Sequence, residues 1–237
     1  MIRTSVSAVA MVASLASVPA AAQEMLAPPA AIATPAALLV EEAEPELPKG
    51  AAPGFEPPAA DGAGGYLTPN RGLSGEETTW HLRVALNVAA LGCRGALVDG
   101  YNALLTAHKA TLAATAEAVT MRYKARFGQG WQAQQDDAMT RLYNFWALPP
   151  AQERFCAAAS GVLAEVATLA PDALPGFAAA ALPRIEAPLL AFFADYDRWR
   201  TAHAGWAARH TRVAAAAAGP MVAVAAVTRM RIGAGEP

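Results

Sequence analysis

The sequence is poor in the residues that carry chemistry. Charged side chains make up 16% of its 237 residues, against about a quarter in ordinary soluble domains. The net charge is −2. A near-neutral chain with so few charges lacks the basic face that a nucleic-acid binder needs. Cysteine occurs only as Cys93 and Cys156, not as the C-x-x-C pair of a thiol–disulfide oxidoreductase. Beyond residue 22 the only serines are Ser74 and Ser160. Neither sits in a G-x-S-x-G elbow, which argues against a serine hydrolase. No glycine-rich phosphate loop and no H-E-x-x-H motif occurs. Asp136–Asp137 and the Asp195/Asp197 pair point apart on a helix, so neither reads as a glycosidase acid/base couple. Glu77 and His81 are four residues apart, as two metal ligands on one helix face would be. No second pair of matching spacing exists, so no metal and no cofactor are predicted.

What is present begins with an export signal over residues 1–22. Arg3 supplies the charged start, "VSAVAMVASLASV" the apolar run, and Pro19 to Ala22 the small residues for cleavage after Ala22. The run is too short to span a bilayer, so the mature chain is expected in the periplasm or outside the cell and not as an integral membrane protein. Cleavage removes Arg3 and leaves 17 basic residues (18 less one) against 20 acidic ones. Their distribution is lopsided. Glu24, Glu41, Glu42, Glu44, Glu46, Glu56 and Asp61 face only Lys49 and Arg71 in residues 23–75. Arg198, Arg200, Arg209, Arg212, Arg229 and Arg231 face only Glu236 at the other end. An acidic arm and a basic tail find opposite charge on a partner or on each other. The arginines therefore mark the surface for an envelope protein or an anionic envelope surface.

Residues 23–73 are rich in Pro, Ala and Gly without a sustained period, which reads as a disordered, partly extended linker. Helical spacing starts at Ser74, an N-cap with Glu77 three residues on, the pattern of a capping box. Leu82, Leu86, Ala89 and Cys93 form one row, beside Trp80, Val84, Val88 and Leu91. A second helix carries Leu97, Tyr101, Leu105, His108, Leu112, Val119 and Tyr123 in one stripe as far as Phe127. A third runs from about Trp131 to Ala147, a fourth begins at Pro149–Pro150, and a fifth covers about 184–202. No segment alternates as a strand does. The fold class is all-α, an up-down bundle of four to five helices over residues 74–202, with an Ala/Arg-rich tail over 203–237. Within that tail, Val213 to Thr228 is uncharged but broken by Gly219–Pro220, too short for a span.

Two cysteines in an exported chain pair. The topology agrees: with helix 1 running up, short connections send helix 4 down, and Cys156 in its second turn meets Cys93 at the end of helix 1. The ring between them spans 63 residues (156 less 93), for which chain entropy contributes about 4 kcal/mol.

Asn disfavours helix interiors, yet Tyr-Asn recurs in "GYNALL" and "LYNFWAL". Tyr101, Asn102, His108 and Asn144 are therefore a candidate polar cluster, serving register or a site. The strings "LNVAALGC", "YNALL", "RLYNFWAL" and "RFC" resemble a group of uncharacterised exported helical proteins of alphaproteobacteria, over about residues 78–166. That resemblance implies a periplasmic helical domain with paired cysteines and carries no activity. The function expected is an exported interaction or structural module of the cell envelope. The alternative is an envelope hydrolase with its site near Tyr101 and His108.

Overall fold

The computed structural model describes residues 42–217; the expected export signal over 1–22, residues 23–41, Arg229 and Arg231 lie outside them. The described chain is all-helical, with α1 (Gly75–Cys93), α2 (Ala96–Ala107), α3 (Lys109–Phe127), α4 (Trp131–Trp146), α5 (Gln152–Val166) and α6 (Leu174–Ala217). Among the described residues there is no strand, only an isolated bridge between Ala60 and Tyr66.

The first helix starts as its sequence dictates. Ser74 Oγ accepts from the Glu77 N–H (3.2 Å), and Glu77 Oε2 accepts from the Ser74 N–H (2.8 Å). α1 touches every other α-helix. Its buried Leu82, Val84, Ala85, Leu86, Ala89 and Ala90 lie on more than one face, and its alanines let neighbours approach closely. The other helices pack around it, with the stacked rings of Trp146 and Phe155 filling the space between α4 and α5.

Cys93 in the last turn of α1 is bonded to Cys156 near the start of α5, with Cα atoms 5.8 Å apart. The end of α1 and the start of α5 thus share one end of the bundle, so these helices are antiparallel. Glu165–Arg184 and Arg154–Asp195 pairs then lay α6 antiparallel to α5. α6 accordingly runs alongside α1 in the same direction. The turn after α1 places Arg94 and Gly95 both at φ 60°. Gly95 adopts this freely, whereas Arg94, with ψ −160°, occupies a region reserved in practice for glycine.

Three features depart from the sequence reading. The second helix breaks at His108 (φ −110°, ψ 22°), where the buried ring turns Nδ1 to the Pro171 carbonyl at 3.3 Å. The last helix is 44 residues long, not the span 184–202, and it contains Pro183 and Pro188. Each proline frees one carbonyl four residues earlier, but Ala179 and Arg184, which own them, are exposed to water. The opposite face buries Ala178, Ala181, Leu182, Ile185, Leu189, Phe192 and Phe193. That burial overrides the local cost and accounts for a helix apolar enough, at mean hydropathy 1.4, to pass for a bilayer span. Finally, residues 42–73, expected as part of a disordered linker, are ordered: 42–48 are extended, the rest turns repeatedly, and donors and rings of α6 hold them in place. Residues 42–73 form a strap bound along α6.

Candidate interaction site

α6 outruns its bundle. Arg154, at the start of α5, pairs with Asp195, and the 22 residues from 196 to 217 continue past that point, about 33 Å of helix at 1.5 Å per residue. The strap runs antiparallel to this overhang and then down to the base of α1.

At the far end, Trp206 Nε1 donates to the Glu42 carbonyl (2.9 Å) and Trp199 Nε1 donates to the Pro45 carbonyl (3.0 Å). The Arg209 guanidinium grips the Glu42 carboxylate with two bonds, Nε to Oε2 at 2.9 Å and Nη2 to Oε1 at 2.6 Å. This contact holds the Glu42 carboxyl below its ordinary range. His203 Nε2–H donates to Glu44 Oε1 (3.0 Å). The rings form a ladder, with centroids 5.0 Å apart for Trp199–His203, 5.8 Å for His203–Trp206 and 4.2 Å for Trp206–His210. Their spacing of four, three and four residues is that of one helix face.

Further down, Tyr196 donates to the Pro53 carbonyl (2.8 Å). Phe55 inserts among Phe192, Phe193 and Tyr196, with centroids at 5.2, 6.1 and 5.1 Å. Tyr66 packs on Phe193 and donates to Asp197 Oδ2 at 2.8 Å; burial first, then the Asp197 bond, pushes its phenol up to about 12.

The strap ends in a buried polar relay. Thr68 Oγ1 (2.6 Å) and Asn70 Nδ2 (2.9 Å) both donate to Glu186 Oε1. Asn70 Oδ1 must then be the acceptor from His81 Nδ1–H, 2.9 Å away. Burial drives the His81 pKa down to about 4, against the pull of Glu77. His81 is therefore neutral at physiological pH and pins the strap to α1. With Glu77 and Tyr123 it lines a cavity of about 380 Å³.

The residues singled out from sequence fare differently. Cys93 and Cys156 are joined. Tyr101, Asn102, His108 and Asn144 do not meet. Tyr101 is 5% exposed, under the Arg83 guanidinium and beside Asn87. His108, seven residues on, is sealed at 1% exposure with Nε2 unpaired. Asn102 and Asn144 are exposed on different helices. Polar side-chain contacts do link α1 to α4, where Tyr143 meets Arg83 and Asn87. Of the six arginines of the basic end, Arg198, Arg200 and Arg209 pair with Asp195, Asp197 and Glu42. Arg212 is exposed.

Sequence reasoning missed the Trp199–His203–Trp206–His210 stripe because it ended the helix at 202. The spacing of those rings was the available signal, and the opposite charges of arm and tail were the other. Comparison of the chain with protein-family models, with curated proteins and with solved structures finds no match.

Proposed function

We propose that this chain is an exported, disulfide-stapled interaction module of the cell envelope, working in the periplasm through the strap-bound overhang of α6. The observation that carries this reading is the overhang itself. A helix that projects past its own bundle, with aromatic rings and paired charges along it, adds only Tyr196 to the buried core and presents a surface to something else. The disulfide supports an oxidising compartment. Among the described residues, Arg198, Arg200 and Arg209 already pair with acids of the chain, which favours a protein partner over an anionic lipid or polymer surface. A hydrolase centred on Tyr101 and His108 draws no support from two side chains that share no cleft.

A photo-crosslinking residue at Arg212 or Val213, both exposed, tests this in cells. Envelope fractions should yield a discrete crosslinked adduct from these positions and none from Ser160, exposed on α5. Equal labelling at both places, or no adduct at all, would sink the interaction reading.

A further inference from the structure

We propose that the α6 face carrying Trp199, His203, Trp206 and Arg209 is a recognition groove for an acidic, proline-containing extended segment of a protein partner, and that Glu42 to Pro45 of this chain occupies it as an intramolecular stand-in. The inference rests on the interaction reading above and names the class of partner.

The geometry is that of a peptide reader. The two indoles are seven residues apart, two turns and about 10.5 Å along one face. The carbonyls they bind, of Glu42 and Pro45, are three residues apart. An extended polyproline-type chain repeats every three residues, so carbonyls i and i+3 point the same way about 9.3 Å apart. Helix and peptide periods therefore agree at this spacing, and indole N–H groups bonded to main-chain carbonyls read the path of the chain without regard to its side chains.

Side-chain selectivity comes from the imidazole between the indoles and the guanidinium beyond them. Arg209 takes the first acid in a two-bond fork and His203 takes the second, two residues later. A basic or neutral segment would leave that fork unpaired. Proline suits the third position because the contact there uses its carbonyl and needs no N–H.

The stand-in does not fill its seat. A cavity of about 410 Å³ remains between strap residues 44–47, Pro53, Trp199 and His203. Apart from the half-buried Trp199–Pro45 bond, the contacts at this end are exposed hydrogen bonds and ion pairs, whose individual contribution is small. The lower strap is anchored elsewhere, by Phe55 and by the Asn70–His81 relay, so the upper strap can leave without unfolding the bundle.

An occluded groove lowers apparent affinity by the fraction of molecules in which it is open. The test uses a fluorescein-labelled peptide of residues 42–49, Glu-Ala-Glu-Pro-Glu-Leu-Pro-Lys, titrated with the full disulfide-bonded chain and followed by anisotropy. Wild type should bind weakly. The full chain with Glu42→Lys and Glu44→Lys, which weakens the stand-in, should bind at least about ten-fold tighter, as expected for a stand-in closed nine-tenths of the time. Adding Trp206→Ala should remove that gain, and Arg209→Glu should transfer preference to a peptide with Lys in place of Glu42. Unchanged circular dichroism and thermal unfolding would show that these exposed substitutions leave the bundle folded.

Equal binding by wild type and the weakened chain would overturn the proposal, as would binding indifferent to Trp206→Ala. So would a concentration-dependent dimer that takes up no added peptide, since the groove would then belong to a second copy. A crosslinked envelope partner obtained while the peptide fails would leave the interaction reading standing and this inference refuted.

Discussion

The stapled bundle and the strap-bound overhang are held together by different physics. In the bundle, side chains such as Leu86, Leu142, Ile185 and Leu189 are at 0% exposure, and the disulfide closes the end where α1, α4 and α5 meet. Its stability comes from area removed from water and from a restricted unfolded chain. In the overhang, indole N–H groups, a guanidinium fork and an imidazole hold an extended segment more than 150 residues away in sequence. Several of these contacts are exposed, so solvent competes for each one. A fold that concentrates stability in one region and specificity in another opens locally at the second without risk to the first.

The largest break in that contrast is loss of the staple. The double variant Cys93→Ser, Cys156→Ser should lose about 4 kcal/mol in denaturant unfolding, with the strap still bound to whatever fraction remains folded. Equal stability of variant and wild type would show that the bundle does not depend on the staple.

The next effect is set by pH at the lower anchor. The folded pKa of His81, about 4, lies below its ordinary 6.5, so the unfolded chain takes up a proton first as pH falls. The contribution of neutral His81 is complete above pH 6.5 and is lost as pH drops towards 4, a loss of up to about 3 kcal/mol. His81→Gln should flatten this part of the stability profile between those limits. An identical slope in the variant would place the acid sensitivity elsewhere.

Phe55→Ala sharpens the comparison, since it touches only the strap side of the core. It should cost about 2 kcal/mol and speed proteolysis around residues 42–58 more than it lowers the unfolding midpoint. Cleavage no faster than in wild type would mean that the strap does not depend on its aromatic plug. The smallest effect is a gain: Arg94→Gly relieves a backbone position that favours glycine and should stabilise the bundle by about 1 kcal/mol. A neutral or negative result would show that the turn tolerates Arg94 without cost.

Much of the bundle was legible in the sequence because its signals are local. The capping box at Ser74 and Glu77, the apolar rows of α1, the glycines before Trp131 and the prolines before Gln152 each act within a few residues. The cysteine pairing was expected from an exported chain with two cysteines, and the helix order agreed with it. The break at His108 was not legible, since its cause is the Pro171 carbonyl, 63 residues away. The run of α6 through Pro183 and Pro188 was hidden for a related reason: two helix breakers outweigh local propensity until a buried face offsets them. The Tyr-Asn repeat misled because periodicity places a residue on a face but does not choose its neighbours. Asn102 and Asn144 turn to solvent on helices that do not bring them together.

By itself, then, the sequence determined helix type, the first helix's start, the order of turns and the site of the staple, all encoded by spacing and by residues that cap or break. Tertiary structure alone decided that a proline-rich arm becomes a strap. That segment has no period, and its internal hydrogen bonds, such as Phe55 N–H to the Ala52 carbonyl and Asp61 N–H to the Gly65 carbonyl, close short turns without setting its course. Its order comes from donors and rings that α6 supplies from the far end of the chain, and such long-range pairing appears only once both partners are folded into place.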